Sequence, residues 1–220
     1  MGKYRLHERP YTAKSFSEKA YPTIKDSLEK AESVLKPLKT YGVEPYYEGN
    51  DFVAKRMEGA CGRTLGSQYM TVGANPEVRG WKKALAATVG HEYNHVARLQ
   101  YTGRKDWARY TLLDNIASEG LAQNFERLVY GRRAPYSVGM SDKEAEKVAR
   151  KIEPLIHLKD KRLYRDFFFG SKDGKFRHWE GYKFSFKKVG ERIDELMYER
   201  DATWPELMRM SSAEITGMGD

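Results

Sequence analysis

The stretch Gly90-His91-Glu92-Tyr93-Asn94-His95-Val96-Ala97-Arg98 decides how the chain is organised. On a helix, residues four positions apart lie one above the other on the same face, so the two histidines would face the same way. This His-Glu-x-x-His spacing suits two imidazoles that bind one zinc ion, with the glutamate as general base for a metal-bound water. The stretch therefore predicts a helix with His91 and His95 as zinc ligands and Glu92 as the base.

The helical wheel of this segment supports the zinc interpretation. We expect the helix to begin near Pro76 and Glu77, because proline and an acid both suit a first turn, and to end near Gln100. Its apolar residues fall on one face: Trp81, Leu85, Val89, Val96 and Leu99. Glu92 lies inside that apolar face, and a carboxylate there is costly unless something compensates for it. A metal ion with its bound water would supply the compensation.

A catalytic zinc site has three protein ligands and one open position for water, so a third ligand is needed. We expect Glu119, in Ser118-Glu119-Gly120-Leu121-Ala122, because it lies on a second predicted helix that follows a turn at Gly103. The alternatives are His157, His178, Asp114 and Glu126. Asp114 and Glu126 are the weaker competitors, and Glu126 stands beside Arg127 and is expected to be solvated. Asn94, Asn115 and Asp114 are candidates for orienting the ligands.

The rest of the chain indicates an α+β fold that is mainly helical. Apolar periodicity predicts a helix from about Tyr21 to Thr40. Short β-like runs follow between residues 43 and 57, and Gln68–Val72 predicts a strand, so a small sheet precedes the motif helix. The second helix is expected from a cap at Asp106 to Gly131. The remaining residues read as further helices, one of which opens with a capping box at Ser141.

Composition indicates a folded globular protein without membrane spans. The chain has 220 residues, 40% of them apolar and 13% aromatic, which is enough for one domain or two small subdomains. No run of about 18 apolar residues is present, and the first ten residues contain no apolar segment of a secretory signal. Cys61 is the single cysteine, which excludes an all-thiolate zinc site and fits a reducing cytoplasm. We therefore expect a cytoplasmic location.

The net charge of +8 raises the question of a nucleic-acid partner. Lysines and arginines are scattered along the chain and interleaved with acids, and no basic tract or known binding motif accompanies them. The charge pattern therefore favours an ordinary solvated surface, although it does not exclude nucleic acid. The sequence indicates no oligomeric state.

The two motifs together resemble a known group of enzymes. His91-Glu92-Tyr93-Asn94-His95 followed by Ser118-Glu119-Gly120-Leu121-Ala122 is similar to the gluzincin type of zincin metallopeptidase. More narrowly, the chain resembles a family of predicted zinc-dependent proteases over about residues 65 to 215. That family also has a W-x-G-Y element, here His178-Trp179-Glu180-Gly181-Tyr182. Phe184-Ser185-Phe186 follows where the family has a second glycine.

This resemblance implies a single zincin-like domain and a mechanism. An upper subdomain of about residues 1–101 would carry the sheet and the active-site helix, and a lower helical subdomain would span about 102–220. The strand from Gln68 to Gly73 would be the edge strand that pairs with a peptide or protein substrate. Tyr182 and His178 are candidates for stabilising the oxyanion.

The expected function is zinc-dependent hydrolysis of peptide bonds, with Zn²⁺ as cofactor and Glu92 as general base. The alternative is a zinc-containing binding or regulatory protein that catalyses nothing and recognises an acidic partner or nucleic acid.

Overall fold

The structure is a computed structural model that describes residues 4–7 and 14–219. Its strands are β1 (Tyr4–Leu6), β2 (Tyr41–Tyr47), β3 (Ala60–Gly66) and β4 (Tyr69–Ala74). Its longer helices are α1 (Lys14–Val34), α3 (Trp81–Tyr101), α4 (Leu112–Tyr130), α5 (Asp142–Ile152) and α7 (Glu180–Arg200). Its shorter helices are α2 (Asp51–Arg56), α6 (Lys161–Phe169), α8 (Trp204–Leu207) and α9 (Ser212–Thr216). The predicted α+β, mainly helical class is confirmed.

The chain divides into two compact units. One comprises Met1–Asp106 and Phe125–Arg132, and the other comprises Trp107–Asn124 and Arg133–Asp220. Helix α4 is continuous and contributes its first turns to the second unit and its last turns to the first.

The sheet of the first unit has the strand order β1-β2-β4-β3. Strands β1, β2 and β4 run parallel to one another, and β3 pairs with β4 in the antiparallel direction. The prediction that Gln68–Gly73 forms an edge strand is therefore wrong. Strand β4 uses its backbone hydrogen-bonding groups on both sides, with β2 and with β3, whereas β3 is an edge strand.

Helix α3 is the centre of the first unit. It packs against β3 and β4 and against α1, and residues 87–100 are all buried. The buried face of the sheet supplies Val43, Met70 and Val72, which belong to adjacent strands. The Tyr93 hydroxyl donates a hydrogen bond to the Leu35 carbonyl just beyond the end of α1. Over residues 87–100 the motif helix is thus buried around its whole circumference, more than a one-sided apolar stripe predicts.

Several predicted boundaries in the first unit are wrong. Helix α1 begins at Lys14 and contains Pro22, and it ends before Pro37. The residues from Phe52 onward form α2 instead of a strand, because Asn50 caps the helix by accepting from the Phe52 amide. Helix α3 begins after Gly80, whose positive φ of 86° interrupts the turn that starts at Asn75.

In the second unit, α4 to α7 enclose an aromatic and aliphatic core. Its buried members include Ile116, Ile152, Phe167, Phe168 and Phe184. Helix α4 begins at Leu112, not at Asp106, because Thr111 and Asp114 exchange side-chain-to-backbone bonds of 3.0 and 3.1 Å. The predicted capping box at Ser141 is confirmed.

Within the described residues, no helix has both the length and the apolar character that crossing a membrane requires.

Candidate metal centre

Helix α3 places His91 and His95 on one face, one turn apart. Their rings meet edge to face with centroids 4.8 Å apart, and both residues are 6% exposed. The geometry follows from the helical spacing, and burial comes from the packing of α3 on the sheet and α1. Two imidazoles are thereby held side by side away from bulk solvent.

Helix α4 supplies the third donor. His91, His95 and the half-buried Glu119 each offer a ligand atom, and these atoms all lie within 4.8 Å of one another. Two imidazole nitrogens and one carboxylate oxygen form a donor set that catalytic zinc uses in other enzymes. The residues present therefore fit a zinc ion. The described part of the chain yields no second such group, so His157, His178 and Asp114 are not among the converging donors.

Glu92 belongs to α3, and its side chain contacts the edge strand β3. The Thr64 hydroxyl lies 2.9 Å from the Glu92 backbone carbonyl oxygen and 2.9 Å from its Oε2 atom, and both residues are buried. Two residues earlier on the same face of β3, Gly62 leaves space for the glutamate. A Cβ atom at Gly62 would lie 2.4 Å from Glu92 Cγ, so a larger residue would displace the side chain.

Glu126 is buried, and the expectation that it is solvated is wrong. Its side chain is 1% exposed, and one carboxylate oxygen accepts from Arg132 Nη1. The other oxygen, Oε2, lies 3.5 Å from Nδ1 of His91. Glu126 follows Glu119 by two helical turns, so both carboxylates lie on the same side of α4. That spacing is the sequence signal that could have identified it.

Arg132 extends this set of contacts to the turn before β3. Its side chain is 8% exposed, and its Nε and Nη2 atoms donate to Glu58 Oε2 at 3.0 and 2.8 Å. Neither the position of Arg132 just beyond α4 nor that of Glu58 carries a sequence signal that predicts this contact.

Tyr182 lies in the first turn of α7, inside an aromatic cluster. Its ring meets Phe168 at 5.0 Å and Tyr136 at 5.1 Å between centroids. Burial raises the pKa of the Tyr182 phenol well above its usual value, and the nearby Tyr164 and Glu119 raise the pKa further. The hydroxyl therefore stays protonated at neutral pH.

His178 is exposed, and its side chain contacts residues that are near it in the sequence. Its Nδ1 atom is 3.0 Å from the Phe169 carbonyl oxygen, and its ring lies 4.4 Å from that of Trp179. Asp114 likewise has structural partners, because its carboxylate accepts from Thr111 and from the Ser212 hydroxyl at 2.6 Å.

Cys61 on β3 has the character of an inert thiol. Its sulfur lies 3.2 Å from the Tyr46 hydroxyl, and burial, together with Glu48, raises the pKa of the thiol to about 12. It therefore stays protonated, and it does not belong to the group of converging donors.

One family of known proteins matches most of the chain. Residues 50–217 match the model of one family, described as "Predicted Zn-dependent protease (DUF2268)". Comparisons with curated proteins and with solved structures found no match. The matched region includes β3, both histidines, Glu92, Glu119 and Tyr182. The chain therefore belongs to the family of predicted zinc-dependent proteases.

Proposed function

We propose that the protein is a zinc metallopeptidase of the HExxH gluzincin type. His91, His95 and Glu119 would hold the ion, and Glu92 would act as general base. The observation that carries this proposal is the convergence of two imidazoles and a carboxylate beside the buried Glu92 on α3. Membership of the family supports it independently.

Zinc bound at these three residues would lower the pKa of a water molecule and polarise the scissile carbonyl. Glu92 would accept the proton from the attacking water and deliver it to the departing amine. Thr64 supports this role, because its hydroxyl lies 2.9 Å from Glu92 Oε2 as well as from the Glu92 carbonyl oxygen, and donation to Oε2 would restrict the carboxylate to one orientation. The other carboxylate oxygen then takes part in proton transfer.

Tyr182 is the preferred donor for the negative charge that would develop on the carbonyl oxygen. Its phenol remains protonated, and Glu119, the proposed third ligand, is among the groups that raise its pKa. His178 is the less suitable donor, since its Nδ1 faces the Phe169 carbonyl and its ring stacks on Trp179.

Strand β3 is the surface on which we place the substrate backbone. It is an edge strand of the sheet, and edge strands bind extended peptides through main-chain hydrogen bonds. Gly62 and Thr64 of this strand contact Glu92 directly. A peptide aligned on β3 would therefore lie beside the general base.

The ligand assignment predicts a zinc content of about one ion per chain, as expected for a single site. His95→Ala and Glu119→Ala should each remove most of the zinc at limiting metal concentration, because each deletes one of three donors. His157→Ala is the matched control, since it removes an exposed histidine outside the group. Metal analysis of the purified variants measures this. Full zinc content in Glu119→Ala would show that another residue is the third ligand.

The general-base assignment predicts that Glu92→Gln lowers peptide hydrolysis by about 10²- to 10⁴-fold while zinc is retained. The amide keeps the size of the side chain but accepts no proton. Hydrolysis of an unstructured protein such as casein, followed with zinc content, measures this, and Glu77→Gln on the surface is the control. If the wild-type chain binds zinc but Glu92→Gln leaves its function intact, the non-catalytic zinc protein is the better description.

The orientation of Glu92 predicts that Thr64→Val lowers kcat by about tenfold or more with little change in zinc content. The valine keeps the shape of threonine but removes a hydroxyl bonded to a charged group, which contributes about 1.5–3 kcal/mol. Thr71→Val on β4 is the matched control, because Thr71 is also buried and its hydroxyl lies 3.5 Å from the Arg63 carbonyl oxygen. Equal activity of the two variants would remove Thr64 from the mechanism.

A further inference from the structure

We propose that Glu58, Arg132 and Glu126 form a positioning relay that holds His91 in the orientation needed to bind the metal. The inference rests on the proposed metal site. None of the three residues offers an atom to the converging donor group, so each would act through its neighbour.

The first step of the relay is the contact between Glu126 and His91. Glu126 Oε2 lies 3.5 Å from His91 Nδ1, within a site where both side chains are nearly inaccessible to solvent. A carboxylate at Nδ1 favours the tautomer that carries its proton on that nitrogen, which leaves the Nε2 lone pair for the ion. It also restrains the direction of the ring.

The second step is the pairing of Glu126 with Arg132. A carboxylate with 1% exposure is costly to bury unless a cation and hydrogen bonds compensate for it. Arg132 provides both, because it donates from Nη1 to Glu126 and from Nε and Nη2 to Glu58. The guanidinium is planar and its donors are fixed relative to one another, so Glu126 is restrained in direction as well as neutralised.

The third step connects the relay to the edge strand. Glu58 has a φ of 57°, in the left-handed region, and Gly59 follows with a φ of 78°, immediately before β3 begins at Ala60. Few residues other than glycine adopt this conformation, and the bonds to Arg132 help to hold Glu58 in it. The relay thus links a proposed metal ligand to the strand whose Gly62 and Thr64 contact Glu92.

Stability alone is a poor explanation for this arrangement. Buried ion pairs are often no more stabilising than apolar residues of similar volume, since desolvation of the charges offsets their attraction. The value of the pair lies in its direction, because Arg132 donates to one oxygen of Glu126 and the other oxygen lies beside His91 Nδ1.

The experiment measures zinc affinity of the full chain by competition with a chromophoric chelator, without reference to hydrolysis. We expect Glu126→Gln to weaken zinc binding by about 10- to 100-fold, as loss of such an outer partner does. Arg132→Lys keeps the charge but loses the planar guanidinium with its fixed donors, and we expect zinc binding to weaken by about tenfold. Arg133→Lys is the matched control, because Arg133 is the next residue and is exposed.

A second readout separates positioning from simple stabilisation. The visible absorption of Co²⁺ bound in place of zinc reports ligand geometry, and we expect the bands of Glu126→Gln and Arg132→Lys to shift while those of Arg133→Lys do not. Glu58→Gln, at a position 54% exposed, provides a variant that folds even if Glu126→Gln does not. We expect it to weaken zinc binding by a few-fold, because Glu58 is two contacts away from His91.

The outcomes distinguish this inference from the proposed function. Wild-type zinc affinity and an unshifted Co²⁺ spectrum in the folded relay variants would overturn the relay and leave the metallopeptidase intact. Absence of zinc binding by the wild-type chain would overturn both. Loss of affinity in the relay variants, with the control unchanged, supports the relay.

Discussion

The structure depends on the burial of charged and imidazole groups along one helix. Helix α3 is enclosed by the sheet and α1, yet it carries His91, Glu92 and His95 into that interior. A second buried carboxylate, Glu126, lies beside His91. Groups of this kind are expensive to bury without compensation, so their partners determine how the surrounding elements must be arranged. Strand β3 and the residues after α4 supply those partners.

Strand β3 has two features that bear on the proposed function. Its Gly62 and Thr64 shape the space around Glu92, and among the described residues it has a neighbouring strand on one side alone. The turn before it is fixed by Arg132 through Glu58. A peptide that binds this strand would therefore lie close to Glu92, whose side chain the same strand positions. The proposed metal site lies beside Glu92.

Features that depend on residues close together in the sequence are predicted well. The helix of the motif, the end of α4 at Gly131 and the capping box at Ser141 depend on residues within a few positions of each other. Strand order depends on contacts distant in sequence, so the local pattern of residues 68–73 does not show that β4 lies between two other strands. The Asn50 cap outweighed the β-like character of the residues after it.

The charged residues around the site show the same limit of prediction from sequence. The spacing of His91 and His95 is visible in the sequence, and so is a suitable later acid at Glu119. The environment of Glu126 is not, because Arg127 is its neighbour in sequence while Arg132 is its partner in space. The packing of α4 determines which acid is solvated and which is buried. The residues next to each acid in the sequence do not reveal that packing.

The most direct test of the central claim is an anomalous difference map from crystals of the zinc-loaded protein, recorded on both sides of the zinc absorption edge. The proposed function predicts one strong peak within bonding distance, about 2.0–2.2 Å, of His91, His95 and Glu119, with one coordination position not filled by protein. A peak elsewhere, or an ion whose four positions are all protein ligands, would contradict a catalytic zinc site on α3 and α4.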